Sequence, residues 1–179
     1  MARSAPVPTS PVALDRVTQL AGRVLDVPVV CVSLVDADRR LLTSSYGLSP
    51  PTALLVSWSF MKQVVASGRP LVVADGQRHP LVARNPAVRD GTVRAYVGMP
   101  LVASNGRAVG TLSVMDRKPR RWSAPQLDLL RKLSARIVGE MELGGRCARF
   151  LVGGLRPSRI WRRLPRIPLA GQGPLTPRA

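Results

Sequence analysis

The sequence predicts an α+β domain built on a mostly antiparallel sheet. Three observations predict it. Short β-branched runs are separated by tight-turn signals. Apolar residues follow the helical period near the start of the chain and again around residue 130. The strongest short hairpin signal, Asn105-Gly106, lies between two of the β-branched runs. A chain of 179 residues suits one such domain with loose ends.

Taken in order, residues 1–11 are rich in Pro, Ser and Ala and read as disordered. Leu14, Val17, Leu20, Ala21, Val24 and Leu25 then repeat at helical spacing, with Ser10 as cap, Pro11 in the first position and Pro28 as the stop. Val29 to Val35 is a nearly continuous β-branched run and predicts a strand buried on both faces. Asp36 to Arg39 turns the chain, and Leu41 to Tyr46 returns as a second strand. After the loop Gly47 to Pro51, the stretch Ser57 to Ser67 predicts a short helix ended by Gly68.

Pro70 to Ala74 predicts a third strand, closed by Asp75-Gly76. Residues 77–92 read as a polar loop with His79-Pro80 and Asn85-Pro86 as breakers. Ala95 to Ala103 and Val109 to Met115 are the arms of the hairpin, whose Asn105-Gly106 turn residues both tolerate positive φ. Trp122-Ser123-Ala124-Pro125-Gln126-Leu127 carries a capping box, Ser123 with Gln126, and a staple, Trp122 with Leu127. Leu127, Leu130, Leu133, Ile137, Val138 and Met141 continue as a helix that Gly144-Gly145 ends. The domain is thus expected over 12–143, with a basic, Pro- and Arg-rich tail, expected disordered, over 144–179.

Composition narrows the function classes. The net charge is +17, and arginines outnumber lysines 24 to 3. The stretch Gly144 to Ala179 holds eight arginines and no acid. Two cysteines, Cys31 in an apolar run and Cys147 in the tail, suggest no disulfide framework and fit a reducing compartment. No apolar run reaches the roughly 18 residues a membrane span needs, and Met1 to Pro6 lacks a signal core, so cytoplasmic residence is the expectation.

Several segments, in this order, resemble a GAF domain over about residues 13–143. They are Leu14-Asp15-Arg16-Val17, Pro28 to Asp36, Trp58-Ser59-Phe60, Pro70 to Asp75 with the Asn85-Pro86 loop, Tyr96-Val97-Gly98-Met99-Pro100-Leu101, and Gly110-Thr111-Leu112-Ser113-Val114-Met115-Asp116. The resemblance implies strand order 2-1-5-4-3 and first and last helices on one face of the sheet. It also implies a small pocket on the other face, under the middle helix and the long loop. Where many relatives carry Ser-Phe-Cys-Ala-His, this chain has Ser59-Phe60-Met61-Lys62-Gln63, which removes a reactive thiol and a metal ligand from that spot. The Asn-Lys-Phe-Asp-Glu signature of cyclic-nucleotide-binding relatives and a bilin-attaching cysteine are not recognisable, so no cofactor is assigned.

Phe60, Met61 and Tyr96 are the candidates for lining the pocket, alongside the plainer reading that they fill the core. Asp36, Asp75 and Asp116 each end a strand, where Asp commonly serves turn chemistry; the resemblance places Asp75 at the pocket rim. No catalytic residue and no metal site is assigned. His79 is the only histidine and sits in an ordinary polar loop, and the cysteines are too far apart to join it around an ion.

The expected function is that of a sensory or regulatory module. It binds a small molecule or a partner protein, modulates another protein's output, and dimerises through its terminal helices. The alternatives are a free methionine sulfoxide reductase, which needs an attacking thiolate, and a nucleic-acid or anionic-surface binder acting through Trp161 and the arginines of the tail.

Overall fold

The structure, a computed structural model, describes residues 11–36, 39–48 and 60–143. Of residues 11–13, 36 and 39–43 it describes the backbone alone. The readings that fall on residues 1–10, on Trp58-Ser59, on Cys147 and on the basic tail lie outside the described residues.

Ten elements follow one another among the described residues. Helix α1 (Pro11–Val24) leads into β1 (Val29–Asp36) and β2 (Arg39–Tyr46). Residues 60–67 are helical (α2) and precede β3 (Leu71–Val73). A 3-10 turn at Gly76–Arg78 and a short helix α3 (Pro86–Arg89) come next. The hairpin β4 (Ala95–Val102) and β5 (Ala108–Asp116) then leads to the long helix α4 (Ala124–Leu143). The strands pair antiparallel in the order β2-β1-β5-β4-β3, as the resemblance implies.

The sheet is covered on both faces, and strand alternation decides which residue goes where. Val30, Val32 and Leu34 of β1, with Leu112 and Val114 of β5, join Leu14, Ala21 and Leu25 of α1 and Leu130, Ile137 and Met141 of α4 in one core. Val29 and Cys31, one residue out of step, face the opposite side with Tyr96, Met115, Phe60 and Val64. Helix α1 is fixed to β2 by polar contacts as well: Ser44 Oγ donates to Asp15 Oδ1 at 2.6 Å and pairs with Thr18 Oγ1 at 2.9 Å. Helix α4 opens with the capping box the sequence predicts. The Ser123 amide donates to Gln126 Oε1 at 3.0 Å and the Gln126 amide to Ser123 Oγ at 3.4 Å, a motif contributing about 1 kcal/mol.

One expectation needs correction, and the hairpin turn gains detail. Residues 77–92 are not simply loop. Asn85 accepts the Ala87 amide at 2.9 Å and Pro86 occupies the first helical position, so the pair starts a short helix rather than breaking the chain. The hairpin turn has only one residue at positive φ, Gly106 at 80°. Gly106 N donates to Ala103 O at 2.8 Å and Ala103 N to Arg107 O at 2.9 Å, the pattern of a three-residue loop ending in a left-handed glycine.

Candidate functional site

The candidate site residues lie on the β1–β5–β4 face opposite α1 and α4. Its central feature follows from a two-residue spacing on β4. Tyr96 and Gly98 project to the same face, and the missing Gly98 side chain leaves room for the Tyr96 ring to lie along the strand. A Cβ built on Gly98 would stand 2.8 Å from Tyr96 Cε1 and closer still to the hydroxyl. Gly98 pairs with Ser113 of β5, so a ring laid over Gly98 delivers its hydroxyl to that serine. Tyr96 Oη lies 2.9 Å from Ser113 Oγ, which lies 3.2 Å from Thr111 Oγ1. Phe60 of α2 stacks on the ring, centroids 4.4 Å apart and planes within 19°. All of these side chains are fully buried. Such a stack contributes about 0.5–1.5 kcal/mol beyond its buried area.

Two of the four candidate binding residues, Phe60 and Tyr96, therefore meet. Met61 is fully buried on the same helix. Asp75 stands apart from the stack, at the end of β3. Its carboxylate receives Arg94 in a two-pronged pair, Nε to Oδ1 at 3.0 Å and Nη2 to Oδ2 at 2.9 Å, and caps the 3-10 turn through the Gln77 amide at 3.2 Å. The Arg94 hydrogen bond holds the Asp75 carboxyl below its ordinary pKa. The pair, together with the 2.5 Å bond from Gly76 N to Arg94 O, joins the end of β3 to the start of β4.

Cys31 lies on the cleft face, opposite Ser113 in the β1–β5 register, and is wholly buried. Burial pushes its thiol up to about 12, which keeps it protonated at neutral pH. His79 Nδ1 and Gln63 Oε1 are buried without a hydrogen-bond partner, and Gln63 Nε2 donates to Leu81 O at 3.2 Å. Among the described residues no group of three or more His, Cys, Asp or Glu could hold a metal ion, and no helix is long and apolar enough to cross a membrane.

Sequence reasoning missed Arg94, Arg120, Thr111 and Ser113. The alternation Thr111-Leu112-Ser113-Val114 places hydroxyls on one face of an otherwise apolar strand, and that signal was there to be read. Arg120 has no such signal. Its guanidinium binds Asp116 Oδ2 at 2.5 Å, Leu25 O at 3.1 Å and Asp26 O, contacts across as many as 95 positions of sequence. Asp116, one of the three strand-ending acids, is therefore also engaged structurally.

A sequence model of the GAF domain family matches residues 11–141. The chain is 34% identical over 84 residues to the phosphoenolpyruvate-dependent phosphotransferase system protein of Escherichia coli (strain K12), a match covering 44% of this chain and 11% of that protein. The match thus spans about a tenth of that relative's length. Among solved structures, the fold is similar to the GAF domain of an Acinetobacter phosphoenolpyruvate-protein phosphotransferase (TM-score 0.65, 18% identity, 81% of this chain and 89% of that one). It is also similar to the free methionine-R-sulfoxide reductase of Neisseria meningitidis (TM-score 0.59, 21% identity, 78% and 82%).

Proposed function

Since the chain belongs to the GAF domain family, we propose that it is a cytoplasmic regulatory module that binds a small molecule or a partner protein and alters the output of another protein. The observation that carries this reading is the chemistry of the cleft face. Where a reductase needs a thiolate, Cys31 is buried and protonated, and the centre of the face is a tyrosine–phenylalanine stack. The relative from Escherichia coli supports the same reading, since there the matching segment is a small part of a much larger protein.

The partner surface we propose is the outer side of the terminal helices, where two copies of the module meet. Leu20 and Val24, one helical turn apart on α1, are 55% and 60% exposed, and Leu143 at the end of α4 is 89% exposed. Native mass spectrometry of the freshly purified chain tests the proposal. A dimer, a retained small molecule or a co-purifying protein is expected. A bare monomer that reduces free methionine sulfoxide, with turnover lost in Cys31→Ser, replaces the regulatory reading with the enzymatic one.

A further inference from the structure

The turn between β5 and α4 reads Arg117-Lys118-Pro119-Arg120-Arg121, four cations in five residues. It is fixed at both ends. Arg120 is its anchor: the side chain bonds Asp116 Oδ2 and the carbonyls of Leu25 and Asp26, and the backbone amide donates to Ala74 O at 2.9 Å. The Lys118 amide donates to Asp116 Oδ1 at 3.0 Å, and Trp122 Nε1 donates to Val73 O at 3.0 Å. Arg117, Lys118 and Arg121 are exposed, and none of the three is in an ion pair among the described residues. Of the three acids in or next to the segments that hold the turn, Asp116 belongs to Arg120 and Asp75 to Arg94, which leaves Asp26 alone against three cations. The first turn of α4, which follows directly, holds no acid either. The chain thus presents a surplus of positive charge on a backbone that needs no further ordering when a partner arrives.

We infer that this turn is a docking surface for a short acidic segment of a partner protein. Arg117 and Arg121 are four residues apart, a backbone span of at most about 14 Å, which a few extended residues of a partner cover. The guanidinium groups offer forked donors that match carboxylates. Other anionic partners fit this surface less well. Duplex DNA carries one charge per about 1.7 Å and is held through a row of phosphates longer than three side chains reach. A single strand needs an aromatic ring to stack on, and Trp122 is half-buried, tied to Val73 by its indole N–H and overlaid by Arg120. An anionic membrane is held by clusters of about four to eight cations or by inserted apolar groups, and the turn has three free cations and no large apolar side chain. The crevice beside Arg117, lined also by Pro28, Leu48, Val93 and Asp116, has room for about one water, so it encloses no small ligand.

The contact gives the regulatory module a partner of stated chemistry and rests on that reading for its role alone. The test measures binding, so it can fail while the module stays regulatory. Fluorescein-labelled hexaglutamate is titrated with the full chain at low salt and followed by anisotropy. The segment after α4 carries eight arginines of its own, so two variants of equal charge are compared. One combines Arg117→Ser, Lys118→Ser and Arg121→Ser, and the other combines Arg162→Ser, Arg163→Ser and Arg166→Ser. The turn variant is expected to bind about tenfold more weakly than the parent, and the tail variant within about twofold of it. Equal losses in both, or no binding by the parent, overturn the assignment. The same variants are compared on a DNA duplex and on phosphatidylserine vesicles. A larger loss there than on hexaglutamate gives the turn to a nucleic acid or a membrane and overturns the choice of partner. Inorganic phosphate is expected to displace the peptide no better than chloride at equal ionic strength. Displacement beyond that makes the turn a site for a free anion and overturns the peptide.

Discussion

The Tyr96 ring lies across Gly98, two residues further along the same strand, with its hydroxyl on the serine paired to that glycine. The spacing makes Gly98 a packing residue rather than a flexible one. Its value lies in the side chain it lacks.

Gly98→Ala therefore places a methyl group where the ring and hydroxyl of Tyr96 already are. The neighbour in the way is an aromatic ring pinned by Phe60 and Ser113, so it cannot move aside without breaking the stack or the hydrogen bond. Overpacking of this kind costs about 1–3 kcal/mol. Urea unfolding is expected to give a lower midpoint with an unchanged slope. A variant as stable as the parent shows that the ring has another resting place.

Cys31 is expected to be silent toward thiol reagents in the folded state. The thiolate is the reactive species, and burial with a pKa near 12 leaves almost none of it at pH 8. In a Cys147→Ser background, which leaves Cys31 as the only thiol, 5,5′-dithiobis(2-nitrobenzoate) is expected to react only as fast as the chain unfolds, and at once in denaturant. Rapid labelling of the native protein at pH 8 contradicts the burial and revives thiol chemistry.

The strands, the hairpin and the last helix were legible in the sequence because they rest on local signals, whereas the strand order came from the family resemblance. The β-branched runs, the Asn105-Gly106 turn and the Ser123–Gln126 capping box each act within a few residues. Phe60 and Tyr96 were also within reach, as the aromatic positions of segments that resemble a known family. The turn type was not legible because Asn-Gly fits two, and loop length, which separates them, depends on the register of the pairing. Asn85-Pro86 was misread because the same two residues end one element and start another. The roles of Arg94 and Arg120 had no local signature. Each is made by partners distant in sequence, Asp75 for one and Asp116 with the end of α1 for the other, and only the fold brings them together.

The Asp75–Arg94 pair is expected to make stability acid-sensitive in one direction. The Arg94 hydrogen bond holds the folded-state pKa of Asp75 below its ordinary value of 3.8. The unfolded chain then binds the proton more readily than the folded one. The contribution is fully present above about pH 4, near the unfolded carboxyl value, and is lost as pH falls through the lower folded value. Asp128, lowered chiefly by its hydrogen bond with Lys132, acts in the same sense. Urea midpoints measured from pH 6 down to pH 2 are expected to fall less steeply in Asp75→Asn than in the parent. Parallel curves show that the pair does not bias folding.

Arg120 joins parts of the molecule that strand pairing does not. One guanidinium bonds the Asp116 carboxylate at the end of β5 and the carbonyls of Leu25 and Asp26 just beyond α1. Its backbone amide donates to Ala74 O at 2.9 Å, after β3, and its side chain lies over the Trp122 ring, 5.7 Å from the centroid. Arg120→Met keeps much of the stem but removes every charged bond. Asp116, with its side chain only 11% exposed, is left without its ion-pair partner. Hydrogen bonds to charged groups contribute about 1.5–3 kcal/mol each, and Asp116, which keeps only the Lys118 amide on Oδ1 at 3.0 Å, loses its counter-charge, so the expected loss is about 3 kcal/mol. The double variant Arg120→Met with Asp116→Asn is expected to recover part of that loss, since the amide is cheaper to bury than the unpaired carboxylate. Additive losses across the double-mutant cycle refute the coupling. Hydrogen exchange gives the independent reading: amides following α1, Leu25 to Val27, are expected to lose protection in Arg120→Met, while the β4–β5 ladder around Val97 and Val114 keeps its own.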